Sequence, residues 1–177
     1  MTVNEVNEVL IHAYAYCGFP RSLRAIQTFM QVIEERKSMG IKDVEGRESL
    51  CYRGSVGVDM SGDGIFWRKY RVRLLLSLKP DMRYLAPTIE RFLKEHLFAD
   101  LFERDLLTYR ERELATVSVL AGVGGVEPMA YGHMSICLHL GITPEQLTAL
   151  LNIVEINLGK KSSDPLRDVL GQLTDKK

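Results

Sequence analysis

The pattern of apolar and polar positions predicts helices along most of the chain. From Val3 to Cys17 the residues Val6, Val9, Leu10, Ala13 and Tyr14 recur at three- and four-residue spacing, the signature of one helix face turned to a core. Gly18 and Pro20 end that run. A second helix is expected from about Pro20 to Met39, with Leu23, Ile26, Phe29, Met30 and Ile33 facing inward and Glu34, Glu35, Arg36 and Lys37 facing water. The two read as an αα-hairpin. Residues 40 to 64 are rich in glycine and charge and hold neither a helical nor an alternating period, so they read as an irregular linker. Helical pattern resumes near Ile65, pauses at Lys79-Pro80 and continues from Tyr84 to Phe102. It restarts at Tyr109, with Leu114, Val117, Leu120 and Ala121 on one stripe, and two more helices are expected over about Pro128–Leu140 and Pro144–Leu158, closed by Gly141 and Gly159. The expected fold is all-α, a bundle of about six to eight helices. Its expected organisation is a hairpin over 1–39, a linker over 40–64 and a helical region over 65–177.

Two helix starts share a phrase. Thr2 with Glu5 and Thr143 with Gln146 each form a capping box, and the apolar positions that follow coincide, which suggests an internal repeat. Pro144 fits the first helical position, where its missing N–H has no intrahelical partner to lose.

Composition narrows the functional classes. Lysine plus arginine equals aspartate plus glutamate at 23 each, so no net field draws the chain to nucleic acid or an acidic membrane. No stretch approaches 18 uninterrupted apolar residues, and the start of the chain lacks the pattern of a signal peptide. Cys17, Cys51 and Cys137 are too scattered for a disulfide framework or a C-x-x-C metal site, which suits a reducing cytoplasm. His12 and His96 are isolated, and His139 falls on a different helix face from His133, so no metal is expected and no cofactor is called for. The glycine-rich GSVGVDMSGDG lacks the Lys-Ser/Thr ending of a phosphate-binding loop. The later GVGG follows a helix where a dinucleotide fingerprint needs a strand.

The string RERELATVSVLAG at 110–122, His133 with Gly141 eight residues on, and GITPEQL resemble the carboxymuconolactone decarboxylase-like family, of the alkyl hydroperoxidase D-like superfamily. The opening TVNEVNEVLIHAYAYCGFPRSLRAI resembles the back half of the same module, with its Y-x-G-x-P corner at Tyr16-Cys-Gly18-Phe-Pro20. Members with two repeats carry the module twice, whereas here a back half precedes a front half. Read in the order 85–158 and then 1–36, the pieces compose about one module. The resemblance implies that they pack together, within one chain or across a subunit boundary; a truncated gene start is the competing explanation. Both predict exposed apolar faces and a homo-oligomer.

The resemblance also implies a site. Glu113 is the glutamate that faces an internal pocket in the family, and His133 is its pocket histidine. A carboxylic acid in a partly dry pocket is raised toward neutrality, and an imidazole beside it gives the pair a mobile proton. That suits decarboxylation of a small carboxylated lactone. Arg110 is a candidate fork for substrate carboxylate, with Tyr16 and Cys17 at the corner as further substrate-binding candidates, while Arg112 is expected at the surface. The family's peroxidase branch uses a C-x-x-C pair, but the corresponding stretch GVGGVEPMAYGH has no cysteine. Cys137, four residues after His133 on one helix face, is the alternative thiol if a neighbouring imidazolium activates it. The functional readings are therefore an acid–base lyase, a thiol-dependent antioxidant peroxidase, or a non-catalytic oligomeric scaffold.

Overall fold

A computed structural model describes residues 1–49 and 86–175, and the described residues are helical with no strand. Helix α1 spans Val3–Ser38 and opens on the expected capping box: Thr2 Oγ1 accepts from the Glu5 N–H at 3.3 Å, and Glu5 Oε2 accepts from the Thr2 N–H at 2.7 Å. Gly18, at φ 80° and ψ 159°, breaks the helix into two arms. Only glycine adopts that left-handed, extended geometry without strain. The Ser22 hydroxyl donates to the Leu10 carbonyl at 2.6 Å. Twelve residues of straight helix would hold those groups about 18 Å apart, so the arms fold back on each other as a hairpin. Residues 41–49 have no regular structure and run back over the start of α1, where the Val44 and Glu45 carbonyls accept from the Val3 and Asn4 N–H groups at 3.0 and 2.9 Å. Those two donors would otherwise have no partner in the first turn.

The rest of the fold is α2 (Pro87–Phe92), continued by a wide π-helical segment at Leu93–Leu101, then α3 (Tyr109–Val123), α4 (Glu127–His139), α5 (Pro144–Leu158) and α6 (Lys160–Thr174). Thr143 and Gln146 form the second expected capping box, and Thr108 with Glu111 forms a third. Helix α6 lies inside the helical region expected over 65–177, although the sequence reading delimits no separate helix after Gly159. Pro165 and a polar first turn mask it, although Leu166, Val169, Leu170 and Leu173 carry the helical period. The readings made for residues 50–85, including GSVGVDMSGDG and the helix resuming at Ile65, lie outside the described residues.

The main core gathers Val117, Leu120 and Ala121 of α3, Ala130, Met134 and Cys137 of α4, Leu147, Leu151 and Val154 of α5, and Leu166, Val169 and Leu170 of α6. A second cluster, Leu97, Phe98, Leu101, Phe102 and Ile136, receives Ile11 and Tyr14 from the first arm of α1. Tyr16 packs against both clusters. The hairpin and the later helices therefore pack together within one chain, along α1 and α3.

Two expectations for the hairpin are corrected. Leu23 and Met30 do not face inward; they are 56% and 61% exposed, while Ser22 is buried and Ile26, Phe29 and Ile33 are half-buried. The apolar stripe of the second arm is wider than the surface available to cover it. In the first arm the fully buried side chains are Glu8 and His12, and Val9, Leu10, Ala13 and Tyr14 are only half-buried. Its innermost face is polar because α3 presents a polar face to it. No helix among the described residues is long and apolar enough to cross a membrane.

Candidate functional site

Glu8, His12 and Tyr16 succeed one another by four residues on the first arm of α1, and Arg112 and Thr116 do the same on α3. Such spacing puts each set on one helix face. The two faces meet as a ladder. Arg112, with no exposed surface, donates through Nη2 to Glu8 Oε1 at 2.8 Å and to the Arg104 carbonyl at 2.7 Å. Arg104 grips the same carboxylate through Nε and Nη2 at 2.7 and 2.8 Å. Burial alone would raise the Glu8 pKa, but hydrogen bonds and charge from Arg104 and Arg112 outweigh it and hold the carboxyl below its ordinary range. One rung on, His12 Nε2 lies 2.9 Å from Thr116 Oγ1 and Nδ1 lies 3.5 Å from Arg112 Nη1. A guanidinium only donates, so His12 Nδ1 accepts and Nε2 carries the proton. Burial, together with the Arg112 charge, pushes the His12 pKa down to about 3.

The last rung brings in α4. His133 Nδ1 is 2.8 Å from Glu113 Oε2, and the Tyr16 ring meets the His133 ring edge-on, with centroids 5.4 Å apart. Glu113 is completely buried and His133 is 4% exposed. Burial raises the Glu113 pKa, and the adjacent imidazole only partly offsets that. Glu113 Oε1 and the Tyr16 hydroxyl are buried without a hydrogen-bond partner, as is Arg112 Nε. A buried polar atom left without a partner is costly, and such atoms commonly mark a place where a ligand or water completes the set. Burial and the Glu113 charge push the Tyr16 phenol well above its ordinary range.

The other candidates lie apart from this contact. Arg110 is exposed and donates to the Leu140 and Gly141 carbonyls at 3.2 and 3.3 Å, tying the start of α3 to the end of α4. Cys17 is half-buried at the Gly18 corner. Cys137 is completely buried in the main core, where burial and the Glu113 charge raise its thiol pKa. The spacing from His133 therefore does not yield an activated thiolate; the reactive form is disfavoured. Arg112, expected at the surface, is instead the most voluminous fully buried side chain among the described residues. A sequence reading of burial assumes that charge is solvated, and nothing local to RERELAT announces that Glu8, 104 residues earlier, will neutralise it. His12 was likewise set aside as isolated. The signal available was the i, i+4, i+8 recurrence of Glu8, His12 and Tyr16. His96 does lie at the surface, with Nδ1 2.8 Å from Asp100.

The fold and the site define a helical protein whose buried interior holds a carboxylate hydrogen-bonded to an imidazole, with the second carboxylate oxygen and the Tyr16 hydroxyl buried without a partner. Residues 87–162 match the model of the carboxymuconolactone decarboxylase family. No curated protein matches the chain. Glu113, Thr116 and His133 fall within the family region, whereas Glu8, His12 and Tyr16 are supplied from the hairpin outside it.

Proposed function

We propose that this chain is an acid–base enzyme of the decarboxylase type, acting on a small lactone that carries a carboxylate. The observation that carries the reading is the 2.8 Å contact between Glu113 and His133 in a site withdrawn from water. With Nδ1 turned to Glu113, the His133 ring offers Nε2 to a substrate, and the carboxylate stabilises the imidazolium that holds the proton. In the reaction the bond between the carboxylate carbon and the lactone ring breaks, carbon dioxide leaves, and the electron pair delocalises into the unsaturated lactone. The imidazolium then returns one proton to carbon, and solvent reprotonates the ring. Tyr16, whose hydroxyl is buried and open, binds a substrate oxygen. Arg110 and Cys17 are given no part, because neither is placed with the buried pair.

The exposed Leu23 and Met30 on the hairpin, with Ile153 and Ile156 on α5, support self-association into a homo-oligomer, which light scattering on the purified protein measures directly. Three scattered cysteines support a cytoplasmic setting. The test of the reaction is carbon dioxide release from carboxylated γ-lactones. His133→Ala should abolish turnover, lowering it at least a hundredfold, while the circular dichroism spectrum is unchanged. Conversion at the parental rate by His133→Ala would remove the imidazole from the chemistry.

A further inference from the structure

We propose that the second arm of α1, residues 19–38, is an interface on which two copies of this chain pair antiparallel. The inference rests on the self-association reading above and gives it a face and a geometry. Beyond Gly18 the arm turns Ser22 back to the first arm, and Ile26, Phe29 and Ile33, which share the helical phase of Ser22, are half-buried. A different stripe is left open. Leu23 and Met30 are exposed on it together with Gln27 and Glu34. Arg24, Gln27, Met30, Gln31, Glu34 and Glu35 line an open groove along this side of the helix.

The charges along this face identify its occupant. Arg24 stands near the start of the arm and Glu34 and Glu35 near its end, all exposed, and none of the three forms an ion pair among the described residues. Arg36, at the same end as the glutamates, is already taken by Asp43 at 2.7 Å. The order of Arg24 and the glutamates runs against the helix dipole, which favours acidic residues at the start of a helix and basic ones at its end. Helix stability therefore does not account for it, whereas an antiparallel copy of the same helix does. Arg24 lies six residues before Met30 and Glu35 five after it, about 9 and 7.5 Å along the axis. A two-fold axis beside Met30 thus brings Arg24 of each copy to the partner's Glu34 and Glu35, sets Gln27 against the partner's Gln31, and joins the two Met30 side chains at the centre. A parallel copy would instead set Arg24 against Arg24 and the glutamates against one another. The face is complementary to itself in one direction only.

Sedimentation velocity of the whole chain across micromolar concentrations tests the pairing. Arg24→Glu and Glu35→Arg should each weaken association about tenfold, because each reversal turns two symmetry-related attractions into repulsions. Combining both reversals in one chain should return association toward the parental strength, since the charges again oppose each other across the axis. An equimolar mixture of the two single variants should also associate as the parent does, an outcome that only contact between chains produces. Met30→Asp should disperse the pair, and Ile156→Asp, on the exposed face of α5, should leave it intact. Every substituted side chain is exposed, so the circular dichroism spectra should match the parent. Failure of both the doubly reversed chain and the mixture to recover association overturns the proposal. A parent that associates whatever the charges at 24 and 35, and is dispersed by Ile156→Asp, keeps self-association and moves the interface to α5. A parent that sediments as a monomer throughout overturns self-association and this interface together.

Discussion

Glu8→Gln should be among the most damaging conservative substitutions in this chain. Its carboxylate is 2% exposed and receives three charge-assisted hydrogen bonds at 2.7–2.8 Å, one from a completely buried Arg112 and two from Arg104. Glutamine keeps the shape and one carbonyl acceptor but removes the charge, leaving Arg112 as an uncompensated cation in the interior. Breaking a buried pair from one side costs about 3–5 kcal/mol. For a chain of this size each kcal/mol moves the melting temperature by about 2–4 °C, so a fall of about 6–20 °C is expected. Urea unfolding followed by circular dichroism at pH 7 measures the same quantity, with a midpoint lower by about 1.5–2.5 M if the slope is near 2 kcal/mol per molar. The loss should also depend on pH with a defined sign. The folded Glu8 titrates below its ordinary value of 4.5. Its contribution is therefore complete above that value and is lost as pH falls toward the lower folded pKa, so parent and variant converge in acid. The double replacement Glu8→Leu with Arg112→Met should cost less than the sum of the single losses by about 1–3 kcal/mol, because it removes both charges together. A Glu8→Gln protein within 1 kcal/mol of the parent at pH 7, or strict additivity in the cycle, would refute the buried-charge argument.

Other predictions come from the same geometry. His12 is buried and neutral with its pKa near 3 against an ordinary 6.5, so unfolding takes up a proton below pH 6.5 and stability falls as pH falls. Between pH 6.5 and 4.5 the parent should lose about 2 kcal/mol more than His12→Gln, read from urea midpoints; equal losses would mean the imidazole already titrates normally in the fold. Cys137, completely buried with its thiol pKa raised, should resist iodoacetamide at pH 8 in the folded chain and react in urea, whereas the half-buried Cys17 reacts first. Peptide mass spectrometry checks this, and rapid native labelling of Cys137 would reopen the peroxidase reading. Gly46 sits at φ +81°, and a Cβ there would lie 2.3 Å from Thr2 Oγ1. Gly46→Ala should therefore disturb the cap of α1 and cost about 1–2 kcal/mol by thermal unfolding, and an unchanged melting temperature would show that residues 44–46 do not hold the cap.

Much of the fold was legible because its signals are local. Capping boxes at Thr2 and Thr143, the stops at Gly18, Gly141 and Gly159, and the period of α3 to α5 each involve residues within a turn or two of one another. Helix α6 carries its period too, in Leu166, Val169, Leu170 and Leu173, although Pro165 and the polar residues before it blur where it starts. Glu113 and His133 became candidates through family resemblance, since periodicity marks a buried position without marking a chemical role. The ladder between α1 and α3 was not legible, and the reason is physical. Each polar face taken alone is indistinguishable from a solvated one; burial becomes favourable only when its complement, about a hundred residues away, arrives with opposite charge and matching hydrogen-bond polarity.

The same complementarity fixes the register in which the two halves combine. Moving α1 along α3 by one turn would face Glu8 with Thr116 and leave Arg112 without a carboxylate, while His12 would lose Thr116 and the edge contact of Tyr16 with His133 would be broken. An apolar interface tolerates such a slip at modest cost, because one aliphatic side chain replaces another. A polar ladder does not, since every misplaced rung leaves a buried group unpaired at about 1–3 kcal/mol, or more for a charge. The hairpin is thus held in the one alignment that brings the Tyr16 ring against His133, and the charged rungs at Glu8 and Arg112, remote from any proposed chemistry, set the geometry in which that chemistry can occur.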